Sequence, residues 1–324
     1  MKQTLYILSL TLLLFACSTK PKDEVPTQEL QCEEMDQADE LPMMRVPLRV
    51  GLSGSRLVML DLVADSCFYH VVEYPSLKYL YSVGPKGQGD NEIILSTPFQ
   101  INKDKLYVYD GTKGNIFTYD LEDGSLIKRI STSVRSGIDF AYKNDSTFYM
   151  EDMSGKSRVI EWNPDGSNSY FTIPESEGED IARKAYIWRS YMAYNQESGR
   201  LALAAQHGCV LELYDMDKHE VVNIIADDKE SYPADMNETK GYCDVQWVGN
   251  DLYALCSLET SHEKKMNGIT DQGGNILRVF SKDGILKKQY KLDTYIYGFT
   301  IDQTNNRLIG ITPNNDYPIC YWKL

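Results

Sequence analysis

Short runs of β-branched and aromatic residues, bounded by Gly, Asn and Asp, recur along residues 43–324. The clearest group consists of LYVYD at 106–110, IFTYDL at 116–121 and LIKRI at 126–130, separated by the turns GTKG and EDGS. No long stretch of the sequence has the 3.6-residue periodicity of an amphipathic helix. The pattern therefore predicts an all-β protein built from antiparallel strands joined by tight turns.

The same three-strand unit recurs at intervals of about fifty residues. Its six copies begin at Leu57, Leu106, Phe148, Leu201, Leu252 and Leu308. One more strand-like segment precedes each copy, at 45–50, 99–102, 138–142, 191–194, 244–248 and 297–301. Repeats of this length and content predict a six-bladed β-propeller with four-stranded antiparallel blades, the first strand of each blade being innermost.

The last unit ends at its third strand, at Leu324. An open sheet edge there would expose unpaired backbone N–H and C=O groups. Two arrangements are consistent with this pattern. Either a segment before Arg45 supplies the missing outer strand and closes the ring, or the final blade has only three strands.

The start of the chain has the pattern of a cleaved leader. A short basic segment precedes an apolar run at 4–15, which is too short to span a membrane as a helix. The following LFAC at 14–17 resembles the lipobox of bacterial lipoproteins, which implies cleavage after Ala16 and lipidation of Cys17. The alternative is an ordinary secretory signal with an incidental cysteine. The predicted domains are a signal peptide at 1–16, a lipidated flexible tether at 17–42 and the propeller at 43–324.

Ser18 follows the lipid-bearing cysteine, and this resembles the sorting pattern that sends Gram-negative lipoproteins to the outer membrane. The expected location is therefore extracytoplasmic, with the membrane contacted through the anchor. The net charge of −14 argues against nucleic acid as a partner, because phosphate binding requires concentrated Lys and Arg.

The six cysteines after Cys17 show no metal-binding spacing. Cys67, Cys209, Cys256 and Cys320 lie in apolar strand-like runs, so we expect buried thiols there. Cys243 and Cys256 flank a predicted hairpin turn and form the one pair for which we consider a disulfide.

The loop at 84–93, GPKGQGDNEI, resembles the G-x-K-G-Q-G-P-G-E-F loop of TolB-like six-bladed propeller lipoproteins of Bacteroidota. Asp90, Asn91 and Ile93 replace the usual Pro, Gly and Phe. The resemblance, together with the blade pattern and the lipobox, implies a propeller fold and an envelope location. It implies no reaction.

Four long loops, at 84–98, 174–190, 227–242 and 257–275, are predicted to emerge on one face of the propeller, around the channel mouth. Long loops on a rigid scaffold commonly carry binding sites. Aromatic rings and planar hydrogen-bonding groups on this face are suited to a small molecule, glycan, peptide or protein. The ligand-binding candidates are Lys86, Gln88, Glu92, Arg135, Trp188, Arg189, His207, Tyr232, Tyr242 and His262.

An enzyme is the alternative. Some six-bladed propellers hold a metal in the channel and hydrolyse lactones or esters, and the candidate ligands here are Asp139, Asn195, Asp244 and Asp302. The sequence has no G-x-S-x-G elbow, no HExxH and no sialidase-type aspartate box. It therefore favours a binding module without a cofactor over a calcium-dependent hydrolase or lactonase.

Overall fold

The chain forms a ring of six β-sheets, as the repeat predicts. The computed structural model describes residues 25–33, 41–132, 134, 137–174, 180–227, 232–233, 240–266, 273–312 and 318–324. The predicted signal peptide and the anchor Cys17 lie outside these residues.

The first strand, β1 (Thr27–Leu30), precedes the ring. Blades 1 to 3 then follow, each with four antiparallel strands in chain order. Blade 1 contains β2 (Pro47–Ser53), β3 (Arg56–Asp61), β4 (Cys67–Glu73) and β5 (Lys78–Pro85). Blade 2 contains β6 (Gln100–Asn102), β7 (Lys105–Asp110), β8 (Asn115–Asp120) and β9 (Leu126–Ser131). Blade 3 contains β10 (Phe140–Asn144), β11 (Thr147–Glu151), β12 (Val159–Asn163) and β13 (Gly166–Tyr170).

The second half of the ring includes two short helices. Helix α1 (Ile181–Ile187) precedes blade 4, which contains β14 (Ser190–Asn195), β15 (Arg200–Ala205), β16 (Leu211–Asp215) and β17 (Glu220–Ile225). Blade 5 contains β18 (Gly241–Val248), β19 (Asp251–Ser257), helix α2 (Ser261–Met266), β20 (Gly274–Ser281) and β21 (Leu286–Ile296). Blade 6 contains β22 (Gly298–Asp302), β23 (Arg307–Ile311) and β24 (Ile319–Lys323). Neither helix in the described part of the chain is long enough to cross a membrane.

The core lies between neighbouring blades. The second strand of each blade is almost wholly buried because it packs against a blade on either side, whereas the outer strands β9 and β13 are largely exposed. Val58 and Phe117, for example, belong to the apolar cluster between blades 1 and 2, and Tyr149 and Tyr214 to the one between blades 3 and 4. The hydrophobic strand pattern thus forms a ring of interblade layers.

At the seam between blades 5 and 6 the second of the two predicted arrangements is present, a final blade of three strands. Blade 6 has three strands, and β1 does not become its fourth. Instead β1 pairs in parallel with β21, as a fifth strand of blade 5, and the strap backbone pairs with blade 6 where Glu33 lies opposite Tyr321. The edge of β21 offers eleven residues for pairing, whereas β24 has five. Residues 25–33, called the N-terminal strap below, lie on the propeller although they fall within the predicted tether.

The disulfide considered for Cys243 and Cys256 is not formed, and all six cysteines in the described residues are thiols. The strand register explains this. Cys256 lies opposite Tyr242, and Cys243 sits in an irregularity of the β18–β19 pairing between Tyr242 and Asp244. The two cysteines are therefore not a directly opposed pair.

Strand direction separates the connections onto two faces of the ring. The turns from first to second and from third to fourth strand lie on one face, here the short-turn face. The connections from second to third strand and from blade to blade lie on the other, here the long-loop face. Both α1 and α2 belong to the long-loop face.

Candidate functional site

An arginine lies at the centre of the ring. Arg49, on the innermost strand of blade 1, is 4% exposed. One terminal nitrogen, Nη2, lies 2.8 Å from Asp139 Oδ2 and 2.7 Å from Asp244 Oδ1. The other, Nη1, donates to the carbonyl oxygen of Phe99 at 3.4 Å. These contacts join blade 1 to blades 2, 3 and 5. Asp244 lies on an innermost strand, whereas Phe99 and Asp139 each lie just before one.

Backbone N–H groups complete the coordination of the two carboxylates. Asp139 accepts from Phe140 at 2.8 Å and from Met192 in blade 4 at 3.1 Å. Asp244 accepts from Val245 at 2.9 Å and from Phe299 in blade 6 at 3.2 Å. Arg49, Asp139 and Asp244, called the central cluster below, therefore contact all six blades.

Burial sets the electrostatics of the central cluster. It raises the pKa of Asp244 to about 6 and also raises the pKa of Asp139, while Arg49 opposes both shifts. Burial also disfavours a charged guanidinium, but the two carboxylates outweigh it and raise the pKa of Arg49. The arginine therefore stays charged and neutralises part of the buried negative charge.

The four residues suggested as metal ligands do not converge. Asp139 and Asp244 bind Arg49, whereas Asn195 and Asp302 lie at the other end of the channel. There the Asn195 amide donates to Gly249 O at 2.7 Å, and Asp302 accepts from the Tyr74 hydroxyl at 2.7 Å.

Calcium takes six to eight oxygen ligands, but here a guanidinium and N–H donors occupy the channel carboxylates. Within the described ranges, no group of three or more His, Cys, Asp or Glu could hold a metal ion. The residues present do not fit a calcium ion.

The channel is open at the face opposite the one predicted for binding. A cavity of about 680 Å³ is lined by the innermost strands and opens between the short turns. Arg49 forms its floor, and the amide of Gln100, which donates to Phe140 O at 2.8 Å, contributes to its wall. Because the central cluster lies where the innermost strands begin, it separates this cavity from the long-loop face.

The loop at 84–93 is held by contacts within itself and by contacts with neighbouring residues of blades 1 and 2. Gly84 has a φ of +70°, a backbone conformation that favours glycine. The Glu92 carboxylate accepts from Gly89 N–H at 2.7 Å, and the Lys86 ammonium donates to Ala64 O at 3.0 Å. Lys113 donates to the carbonyl oxygens of Gly89 and Glu92, at 2.7 and 2.8 Å. Of the three predicted binding residues here, Lys86 and Gln88 are exposed and Glu92 is partly buried.

A second group of predicted residues lies around α1. Trp188 is buried and packs edge-on against Tyr232, with ring centroids 5.8 Å apart. The Arg189 guanidinium stacks over Tyr186 at 4.3 Å and lies 3.4 Å from His207 Nε2. The structure thus brings Trp188, Arg189, His207 and Tyr232 together. Trp188 and His207 are buried, whereas Arg189 is partly exposed.

The remaining candidates are scattered. Tyr242 is 1% exposed and packs in the apolar cluster between blades 4 and 5, where burial raises its pKa. His262 is exposed on α2. Arg135 lies outside the described residues. The nine predicted residues that the structure describes therefore do not form one pocket.

A family model described as TolB-like 6-blade propeller-like matches residues 23–304. The chain belongs to this TolB-like family. That confirms the resemblance carried by the loop at 84–93 and by the blade repeat.

The TolB-like propeller also resembles solved structures. A putative exported protein of Bacteroides fragilis is 10% identical with a TM-score of 0.57, covering 90% of this chain and 94% of that one. U3-55K is 10% identical with a TM-score of 0.50, covering 85% and 80%. BamB from Moraxella catarrhalis is 14% identical with a TM-score of 0.44, covering 85% and 84%. The first two likenesses show the fold alone. No curated protein matches the sequence.

A second buried ion cluster in the TolB-like propeller lies between blades 3 and 4, and sequence analysis did not find it. The Arg158 guanidinium contacts Glu212 Oε2 at 2.6 Å and Glu151 Oε1 at 3.1 Å. Glu151 also accepts from Ser190 N–H at 2.6 Å. Burial raises the pKa of Glu151 to about 7, and Arg158 opposes the shift. The available signal was a charged residue at the start of the run RVIEW.

Replacing Arg49 by methionine should destabilise the protein by about 3–5 kcal/mol, because it leaves two buried carboxylates without their cation. Urea unfolding at pH 7.5 would measure this. The matched control is Arg45→Met, since Arg45 forms an exposed pair with Asp65 at 2.8 Å and should contribute less than about 1 kcal/mol. Equal stabilities of the two variants would contradict a structural role for the central cluster.

Replacing Glu151 by glutamine should remove a loss of stability that the wild-type protein undergoes as the pH rises. The folded protein holds a proton on Glu151 up to a pKa of about 7, whereas the unfolded chain releases it near 4.5. The contribution of Glu151 is therefore fully present below pH 4.5 and decreases as the pH rises to 7. Relative to wild type, the variant should gain on the order of 3 kcal/mol between pH 4.5 and 8.

Urea unfolding across that pH range would provide the comparison. Glu29→Gln, at an exposed position on β1, serves as the control and should follow wild type. A constant difference between wild type and Glu151→Gln at every pH would be inconsistent with the raised pKa.

Proposed function

We propose that this protein is a lipid-anchored, extracytoplasmic binding module that docks a protein partner on its long-loop face. The anchor is Cys17, and the membrane is the outer membrane of a Gram-negative bacterium. The lipobox, Ser18 and the family membership support the anchor and location. The distribution of exposed apolar side chains supports the docking face and carries this proposal.

Exposed apolar side chains are concentrated on the long-loop face. Of the thirteen large apolar residues exposed in the described part of the chain, seven lie on its connections. They are Met43, Val63, Ile94, Leu95, Ile181, Tyr186 and Met266. By contrast, Ile285 lies in a short turn, and the other five lie on outer strands. Apolar groups gathered on one face are typical of a protein-docking surface.

The region around α1 has the composition of an interface centre. Ile181 is 53% exposed, and Tyr186 presents its ring beneath the Arg189 guanidinium. Tyrosine and arginine are enriched among residues that dominate binding energy. Buried Trp188 and the apolar cluster beneath it hold this end of α1 against blade 4. Such a preorganised patch loses little conformational entropy when a partner binds.

The direction of the N-terminal strap supports a long-loop face that points away from the membrane. Because β1 runs parallel to β21, a fourth strand, it starts at the short-turn face and ends at the long-loop face. The eight residue-to-residue steps from Cys17 to Val25 span at most about 29 Å. The anchor therefore holds the short-turn face towards the membrane and leaves the long-loop face directed away from it.

The hydrolase alternative has less support. It requires carboxylates free to bind a metal, whereas Asp139 and Asp244 bind Arg49 and backbone N–H groups. The open cavity lies at the short-turn face, on the side that the anchor holds near the membrane. We therefore place partner recognition on the loops.

A photo-crosslinking amino acid at Leu95 or Ile181 should capture a discrete partner in cells. The same group at Ile285, which is 67% exposed on the opposite face, is the control and should give no such adduct. Immunoblotting of the tagged full-length protein would reveal adducts by their mass.

Thermal unfolding of the three crosslinker variants should coincide, because all three positions are exposed. Adducts only at Ile285, or the same adducts at all three positions, would contradict docking on the long-loop face.

Cys17→Ser should abolish metabolic labelling with an alkyne fatty acid, because the variant has no thiol for the lipid. Cys32→Ser, which changes the next cysteine, should retain full labelling. Continued labelling of Cys17→Ser would overturn the anchor without touching the argument for the docking face.

A further inference from the structure

The N-terminal strap crosses the seam between blade 5 and the three-stranded blade 6. On one side β1 pairs with β21 of blade 5. On the other, Glu33 N–H donates to the carbonyl oxygen of Tyr321 in blade 6 at 2.8 Å. The strap therefore contacts blade 5 and blade 6. Its backbone pairs with blade 6 through a single bridge.

A carboxylate from blade 5 positions the two sides of this seam. Asp293 Oδ2 accepts from the backbone N–H of Cys32 at 3.0 Å, and its Oδ1 accepts from the Trp322 indole at 3.0 Å. The end of the strap and strand β24 are thus fixed against the same side chain. Their side chains meet in one apolar cluster that includes Trp322, Cys32 and Cys320.

Two cysteines meet at this bridge. In the register of this antiparallel bridge Cys32 lies opposite Trp322, so Cys32 and Cys320 are diagonal neighbours that project from the same side of the pair. Both are half-buried, and their thiols are in hydrogen-bond contact. The bond from Cys320 lowers the pKa of Cys32, whereas the pKa of Cys320 is raised.

We propose that Cys32 and Cys320 form a disulfide that closes the ring covalently at this seam. The cysteines already lie in contact across a bridge that fixes their backbones. Only the formation in cells rests on the extracytoplasmic location proposed above, because disulfides persist in oxidising compartments. The capacity to form the bond is a property of the folded chain.

The oxidant is a disulfide, either a small one such as oxidised glutathione or that of a thiol–disulfide oxidoreductase. The Cys32 thiolate attacks one of its sulfurs, forms a mixed disulfide and releases the other sulfur as a thiolate. Cys320 then loses its proton and attacks the Cys32 sulfur, which displaces the second thiolate. Two cysteine thiols lose two electrons and two protons, and the oxidant is reduced to two thiols.

Such a bond would enclose nearly the whole propeller, from residue 32 to residue 320. Crosslinks that close long loops restrict the unfolded chain most strongly in the chain-entropy account of disulfides. The oxidised protein should therefore melt roughly 5–10 °C above the reduced one.

The test uses the purified full-length chain, so that its outcome does not depend on the proposed location or partner. The protein is equilibrated in an oxidising glutathione buffer, quenched with acid, alkylated under denaturing conditions and digested for mass spectrometry. We expect one linked species joining the peptides of Cys32 and Cys320, with Cys67, Cys209, Cys243 and Cys256 alkylated. Alkylation of both Cys32 and Cys320, or their recovery only as glutathione adducts, would overturn the proposal.

Melting temperatures provide an independent measurement. Reduction should lower the melting temperature of wild type and of Cys67→Ser, because Cys67 is equally half-buried but distant from the seam. Reduction should have no effect on Cys320→Ser or on Cys32→Ser. The second variant changes only the strap and covers the case in which Cys320→Ser fails to fold. An equal response of Cys32→Ser and wild type would also overturn the proposal.

Discussion

The guanidinium of Arg49 lies where the six innermost strands converge, and the ring is organised around it. Neighbouring blades pack through side chains, so the start of each innermost strand needs polar partners from across the axis. Arg49 supplies a cation to Asp139 and Asp244, whose oxygens accept N–H groups of Met192 and Phe299. Burying these charges carries a desolvation cost, so each group depends on its partners, and loss of the cation alone would leave two buried carboxylates uncompensated.

This arrangement also bears on the proposed binding face. The central cluster closes the channel near the long-loop face and leaves a cavity of about 680 Å³ open to the short-turn face. On the long-loop face, the proposed recognition elements among the described residues are the connections themselves. A broad surface with exposed Leu95, Ile181 and Tyr186 suits a protein partner better than a small ligand.

The strand pattern was sufficient to predict the propeller, because LVMLD, LYVYD and their counterparts all form second strands of blades. The central cluster was harder to predict. Asp139 and Asp244 were recognised as inner residues, but Arg49 lies 90 positions before Asp139, and alternation cannot say which side chains meet across an axis. A charged residue inside the apolar run PLRVGL was the local signal. The three-stranded final blade was one of the two predicted arrangements. The pairing of β1 with β21 was not predicted, because it depends on the length of exposed strand edge, which is greater for β21 than for β24.

The strap gives the seam a mechanical role under the proposed function. Tension from a lipid anchor would enter the strap at Val25 and act first on the pairing of β1 with β21 at the short-turn face. Because β1 runs away from the membrane, such tension pulls along the strand and loads its backbone hydrogen bonds together in shear. Buried Leu30 and the Cys32–Asp293 contact lie at the far end of this path. A covalent bond from Cys32 to Cys320 would stop the separation there, before blade 6 lost its single bridge at Glu33.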